Sequence, residues 1–301
     1  MAKGGVLTPP AERGPHKIVD FAGFILKGGM MQKVTDNVYV ETGFQGCNTS
    51  FVVTSEGVVV IDTPQIPADA IKWRDEIAKH GKVRYLINTE PHGDHYTGNY
   101  FFEGTVVGHE GTREAILAAS VEQLKEMTQR MSPESLPLLE GYAYRPPTIT
   151  LSQRLTLYLG EHTFQLINLP GHSPYQVAVF VPEEKVVFTS DNVVYKTQPF
   201  LHQSLPYQWL ESLKQYQEFD ADVLVPGHGE LCDRSYLPEM SANVQAWIDS
   251  AVEAVNKGIS LENVEEIISI LEKHSVKFGD AQMAGMAVRT SMTRLYEVVK
   301  K

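Results

Sequence analysis

Four of the ten histidines stand in loops rich in Gly, Pro or Asp, each just after a β-branched run: His92, His95, His172 and His228. The loops read Asn88-Thr89-Glu90-Pro91-His92-Gly93-Asp94-His95, then Pro170-Gly171-His172-Ser173, then Pro226-Gly227-His228-Gly229. A strand fixes where such a loop starts while its backbone stays free to bend, which suits presentation of functional groups. The first loop alone packs four candidate metal ligands into six positions: Glu90, His92, Asp94 and His95. In extended chain, positions 90, 92 and 94 point to one side, and a turn at 94–95 brings His95 round to join them. Imidazole and carboxylate together suit zinc, with manganese or iron as alternatives. Two of each exceed what one ion takes from a single loop, so the pattern implies two neighbouring divalent metals. An isolated histidine is more often a surface or packing residue. His16, His80, His162, His202 and His274 are read that way, and His109, beside Glu110, as a supporting residue or the start of a helix.

The elements that must hold these loops are short. Val38–Val40, Thr49–Thr54, Gly57–Asp62, Arg84–Asn88 and Thr105–Gly108 read as strands, with a helix over Ala68–His80 closed by Gly81. Strand, helix, strand at that spacing implies a crossover and some parallel pairing. A single long helix is expected over Gly111–Arg130. An irregular, proline-rich excursion follows over Met131–Pro147, and loops of that length often act as lids. The second half gives strands at Leu155–Leu159, Thr163–Leu169, Gln176–Val181, Val186–Thr189 and Val223–Val225, with a helix over Tyr207–Phe219. From residue 236 onward the spacing is helical throughout. The expected organisation is an N-terminal arm over 1–33, a catalytic domain over 34–235 and a helical extension over 236–301 packed on it.

Composition narrows the class. The chain has 301 residues, 43% hydrophobic and 21% charged, as globular proteins do. A net charge of −11 argues against a phosphate-backbone binder and so against nucleic acid as partner. No apolar run approaches the length of a membrane span. Cys47 and Cys232 form neither a CxxC pair nor a disulfide framework, and the first 32 residues lack a signal-peptide layout. A cytoplasmic enzyme acting on a small molecule is expected, with a homodimer through the tail and arm as a further expectation.

Taken in order, the strand ending at Asp62, the His-x-Asp-His loop, the Gly-His loop, Ser190-Asp191-Asn192 and the final Gly-His-Gly resemble the metallo-β-lactamase superfamily over residues 34–232. The resemblance implies an α/β fold, a four-layer αββα sandwich with the metals at one edge, here followed by a helical C-terminal extension. It implies one metal held by position 90, His92 and His172, and a second by Asp94, His95 and His228. Asp191 would bridge them, and Asp62 and Asn192 would steady the ligand loops. The family usually opens this loop with histidine where this chain has Glu90. A carboxylate there removes one imidazole and adds charge, which favours manganese or iron at that site.

Metals so arranged bring bound water to ionise near neutral pH. Hydrolysis of a small ester, thioester, lactone or lactam is therefore expected, with Asp94 orienting the nucleophile and shuttling its proton. β-Lactamase-like activity, hydrolytic dehalogenation and a non-heme iron oxygenase of the same fold are the alternatives. For the substrate pocket the candidates are Tyr195, Phe200, Tyr207 and Trp209, which follow Asp191, and Tyr142 and Tyr144 in the proline-rich excursion.

Overall fold

The computed structural model describes residues 31–274, 276 and 281–300, the side chains of 281–287 excepted. Most of the N-terminal arm lies outside the described residues. Its end, Met31–Lys33, forms strand β1, which pairs antiparallel with β2 (Val38–Glu41). β3 (Thr49–Thr54) and β4 (Gly57–Ile61) continue the antiparallel run, and Gly57, at φ +129°, makes the tight turn between them. Helix α1 (Pro67–Ile77) then crosses over to β5 (Val83–Asn88), parallel to β4. After the one-turn helix α2 (Gly93–Tyr96), β6 (Thr105–His109) adds on in parallel.

The helix expected over Gly111–Arg130 is two helices, α3 (Glu110–Ala118) and α4 (Val121–Met131). Ser120 breaks it by taking extended backbone and accepting a hydrogen bond from Gln123 N, an N-cap no glycine or proline announces. Part of the proline-rich excursion is 3₁₀-helical, over Pro133–Leu139. Strand β7 (Ile149–Leu151), not foreseen, closes the seven-stranded first sheet, whose order runs β1 to β7.

The second sheet has five strands: β8 (Arg154–Leu159), β9 (His162–Asn168), β10 (Val177–Val181), β11 (Val186–Val194) and β12 (Val223–His228). Their order is β12-β11-β10-β9-β8, antiparallel except for β11 with β12, which α5 (Pro206–Gln217) joins in parallel. Three helices end the chain: α6 (Leu237–Asn256), α7 (Val264–Lys273) and α8 (Ala281–Val299). Among the described residues no helix is long and apolar enough to cross a membrane.

Strand alternation builds the four layers. In β4, Val59 and Ile61 face inward to meet Phe164, Val179 and Phe188 of the second sheet. Val58 and Val60 face outward, where Trp73 and Ile77 of α1 cover them. Both faces are apolar, so β4 reads as an unbroken hydrophobic run. On the far side, Ile167, Phe180 and Val187 of the second sheet share one core with Trp209 of α5 and Trp247 of α6. Leu271 of α7 and Met292 and Leu295 of α8 belong to the same core. The fold is an αββα sandwich whose C-terminal helices thicken one outer layer.

Candidate metal centre

Five strand ends meet at one edge of the sandwich. Asp62 ends β4 at φ +56°, and Glu90, His92, Asp94 and His95 follow β5 through α2. His172 follows β9, Asp191 sits in the irregular part of β11, and His228 ends β12. Three triads each bring one ligand atom per residue within 4.8 Å of the others: Glu90, His92, His172; Asp94, His95, His228; and Glu90, His95, Asp191.

Asp191 reaches into both halves. Its Oδ1 lies 3.3 Å from His95 Nε2, and its Oδ2 lies 3.3 Å from His228 Nε2 and 3.6 Å from His172 Nε2. Glu90, fully buried, does the same from below. Its Oε1 is 3.0 Å from His92 Nδ1 and 2.9 Å from His95 Nε2, and its Oε2 accepts a 2.5 Å hydrogen bond from Gln176 Nε2. Asp94 Oδ2 stands 3.3 Å from His228 Nε2.

This packing does not satisfy itself. His95 Nε2 and Asp191 Oδ1 are sealed from solvent and close to each other, yet neither has an aligned hydrogen-bond partner. His92 Nδ1 and His172 Nε2 face each other at 3.2 Å, and two lone pairs at that distance need a proton or a cation between them. Burial disfavours ionisation of Asp191, but His228 and His95 outweigh it and hold its carboxyl well below the usual range. Asp94 is likewise lowered, burial being overcome by His95 and His228. Imidazoles beside ionised carboxylates are what a divalent cation requires, so the residues fit one.

A supporting layer aims these groups. Asp62 Oδ2 accepts from His95 Nδ1 at 2.9 Å, which leaves His95 Nε2 a lone pair pointing into the cluster. Asp62 is itself held by Thr89, whose backbone N and Oγ1 donate to its two oxygens. Asn192 Oδ1 accepts from His172 N and its Nδ2 donates to Leu169 O, bracing the second loop. Asn48 Nδ2 donates to Pro226 O and Gly229 O, bracing the third. Two glycines are there for space rather than for bending. A Cβ at Gly227 would sit 1.8 Å from Asp191 Oδ1, and one at Gly171 would sit 2.2 Å from Asn192 Oδ1. Cys47, Asp62 and His95 also meet the ligand spacing, but burial pushes the Cys47 thiol up to about 12 and keeps it protonated.

A family model described as the metallo-beta-lactamase superfamily matches residues 42–228. The chain belongs to that superfamily. A linear primary-alkylsulfatase from Pseudomonas sp. is 23% identical over 255 residues, covering 71% of this chain and 48% of the relative. The chain thus spans about half that relative's length. Two solved structures share the fold. A metallo-β-lactamase from Pontibacter korlensis aligns with a TM-score of 0.56 at 20% identity, over 72% of this chain and 99% of that one. A stereoselective inverting sec-alkylsulfatase from Pseudomonas sp. aligns with a TM-score of 0.66 at 15% identity, over 89% of this chain and 50% of that one. A match over 89% of the chain cannot be reached without part of α6–α8.

Within this superfamily fold, several aromatic residues are not where a pocket would need them. Trp209 is fully buried beneath the centre, its Nε1 donating to Asn192 O and its ring 5.6 Å from that of His172, so it supports the floor and lines no opening. Tyr142 is buried with its hydroxyl on Thr97 O. Tyr144 packs on it and on Tyr96 and donates to Ser120 O, so neither is poised as a lid. Tyr195 packs on Tyr236, and Tyr207 is half exposed on α5. Phe200 is partly exposed, 6.5 Å from His202.

His202, read from sequence as a surface or packing residue, lies 4.7 Å from the His92 ring and 6.0 Å from the His172 ring. Gln203 Oε1 lies 3.2 Å from His92 Nε2. Neither residue had spacing to reveal it. Gln176 and Cys47 were missed for the same reason.

Proposed function

We propose that the chain is a hydrolase working with two divalent cations, zinc foremost, with manganese or iron as alternatives beside Glu90. The reading rests on one observation above the others. Seven ligand-type side chains from separate loops converge, and His95 Nε2 and Asp191 Oδ1 at their meeting point are buried without an aligned hydrogen-bond partner. His92, His172 and Glu90 would hold one cation, Asp94, His95 and His228 the other, with Asp191 between them. Cations bound here would let water ionise near neutral pH and would polarise the bond to be cleaved.

The chain's own residues do the rest. Asp94 is ionised, partly open to solvent and turned toward His228, so its free carboxylate capacity can take a proton from the attacking nucleophile. Asp62 keeps His95 in a single tautomer, and the buried Glu90–Gln176 pair prevents the first loop from retreating. The substrate class is a small, partly apolar molecule carrying an ester, thioester, lactone or lactam bond. The alkylsulfatase relative adds sulfate esters to that range.

A panel of these five substrate types against wild type and His95→Ala tests the reading. At least one should be turned over by the wild type. In the variant, activity should fall by more than the roughly 100-fold that loss of a supporting residue costs, with the circular dichroism spectrum unchanged. Activity retained in His95→Ala would refute it.

A further inference from the structure

The segment between β11 and α5 is irregular, yet it is pinned at three points by the C-terminal helices. Trp247 Nε1 of α6 donates to Gln198 Oε1 at 3.2 Å. Ser291 Oγ of α8, fully buried, accepts from Leu201 N at 3.1 Å. Arg294 Nε of α8 donates to Ser204 O at 2.9 Å. A fourth bond, Leu205 N to Gly171 O at 2.8 Å, ties the segment to the His172 loop. Leu201 and Ser204 point down and are fully buried, while His202 and Gln203 between them face the metal cluster.

From this geometry we infer that the helical C-terminal region is a working part of the metal centre. α6 and α8 hold residues 198–205 where the Gln203 amide oxygen accepts from His92 Nε2–H, and His202 covers the outer face of that ring. The bond decides which nitrogen of His92 is available. With Nε2 protonated toward Gln203, the Nδ1 lone pair turns inward, to the side where Glu90 Oε1 and His172 Nε2 lie. Asp62 does the same for His95 in the other half. Gln203 lies within the superfamily match, which ends at residue 228, but the helices that fix its segment, α6 and α8, lie beyond it. Ser291 and Arg294 are positioning residues, acting on His92 through Gln203.

The inference rests on the two-cation reading above, and its test keeps the two apart. Divalent-ion dissociation constants are measured by competition with a chromophoric zinc chelator on full-length wild type, Gln203→Ala, Gln203→Glu and Arg294→Ala. Melting temperatures are recorded alongside. Gln203 is exposed, so its variants should fold as the wild type does. The expected result is one of two ions weakened roughly 10-fold or more in Gln203→Ala, the other unchanged, and affinity kept in Gln203→Glu, which retains an acceptor. Arg294→Ala should weaken the same ion by a smaller factor. Wild-type constants for both ions in Gln203→Ala would overturn the inference and leave the hydrolase reading standing. An effect in Gln203→Ala with none in a folded Arg294→Ala would overturn the part assigned to the tail. Failure of wild type to take up any divalent ion would defeat the hydrolase reading itself, and this inference with it.

Discussion

The two ends of the second sheet carry the same residue types in different numbers and arrangements. At the start of β9, His162 Nε2 lies 2.7 Å from Glu184 Oε1, and Nδ1 lies 3.3 Å from Glu161 Oε1. Glu184 also accepts from Thr35 and from Asn37 Nδ2. One imidazole among carboxylates and neutral donors closes into an ion pair and ties the loop after β1 to the second sheet. Roughly 20 Å away, past the other end of that seven-residue strand, His172 enters a cluster of four imidazoles and three carboxylates in which His95 Nε2, His172 Nδ1 and Asp191 Oδ1 are buried without an aligned partner. His162 Nδ1 also lacks an aligned partner, so convergence of several ligand-type groups from separate loops, more than burial, one unpaired nitrogen or the mere pairing of His with an acid, separates a site from a structural contact.

The comparison breaks most severely at Gly227. Gly227→Ala would drive a methyl into the Asp191 carboxylate, so activity and uptake of the second cation should both fall by 100-fold or more. Gly93→Ala should change activity less than about 2-fold, because its nearest neighbour would be 3.6 Å away. Similar losses in both would mean that loop flexibility, not the close approach to Asp191, is what Gly227 provides. Next in size is Asp62→Asn, which weakens the lock on the His95 tautomer. Chelator competition should report a cation bound roughly 10- to 100-fold more weakly, and an unchanged constant would show that His95 needs no such partner.

The smallest effect belongs to the other end. Glu184 is held down to about 2: burial alone would raise it, but His162, Thr35 and Asn37 outweigh that. Its stabilisation is present above the unfolded value of 4.5 and is lost as pH falls through about 2. His162 is raised, by its hydrogen bond to Glu184 first, so its share is present below 6.5 and is lost as pH rises through the raised value. The melting-temperature difference between wild type and Glu184→Gln should therefore peak between about pH 4.5 and 6.5. The Glu184 side chain keeps 9% of its surface exposed, so with some solvent screening the pair is worth about 1 kcal/mol, or about 2 °C. Turnover should not change, and a flat pH profile would remove the pair from the stability account.

Much of this was legible in the chain. β-branched runs bounded by Gly, Asn and Asp marked the strands, and histidines recurring at strand ends marked the loops. What stayed hidden depends on distance in space rather than in sequence. Ser120 divides a helix without any breaker residue. β7 is three residues long and carries too little pattern to announce itself. Trp209 is aromatic and close to Asp191 in sequence, which suggested a pocket wall, but its indole is used to brace Asn192 O. Gln203 and His202 reach the centre only because helices nearly ninety residues downstream pin their segment.

The central claim is that the unsatisfied lone pairs at this edge belong to divalent cations. Elemental analysis of protein purified without added metal, followed by titration of the chelator-stripped protein with zinc, manganese and iron, addresses it directly. The account predicts two tightly held equivalents in wild type, with His95→Ala keeping no more than one. No detectable ion in the purified protein, together with no binding of any of the three on titration, would contradict it.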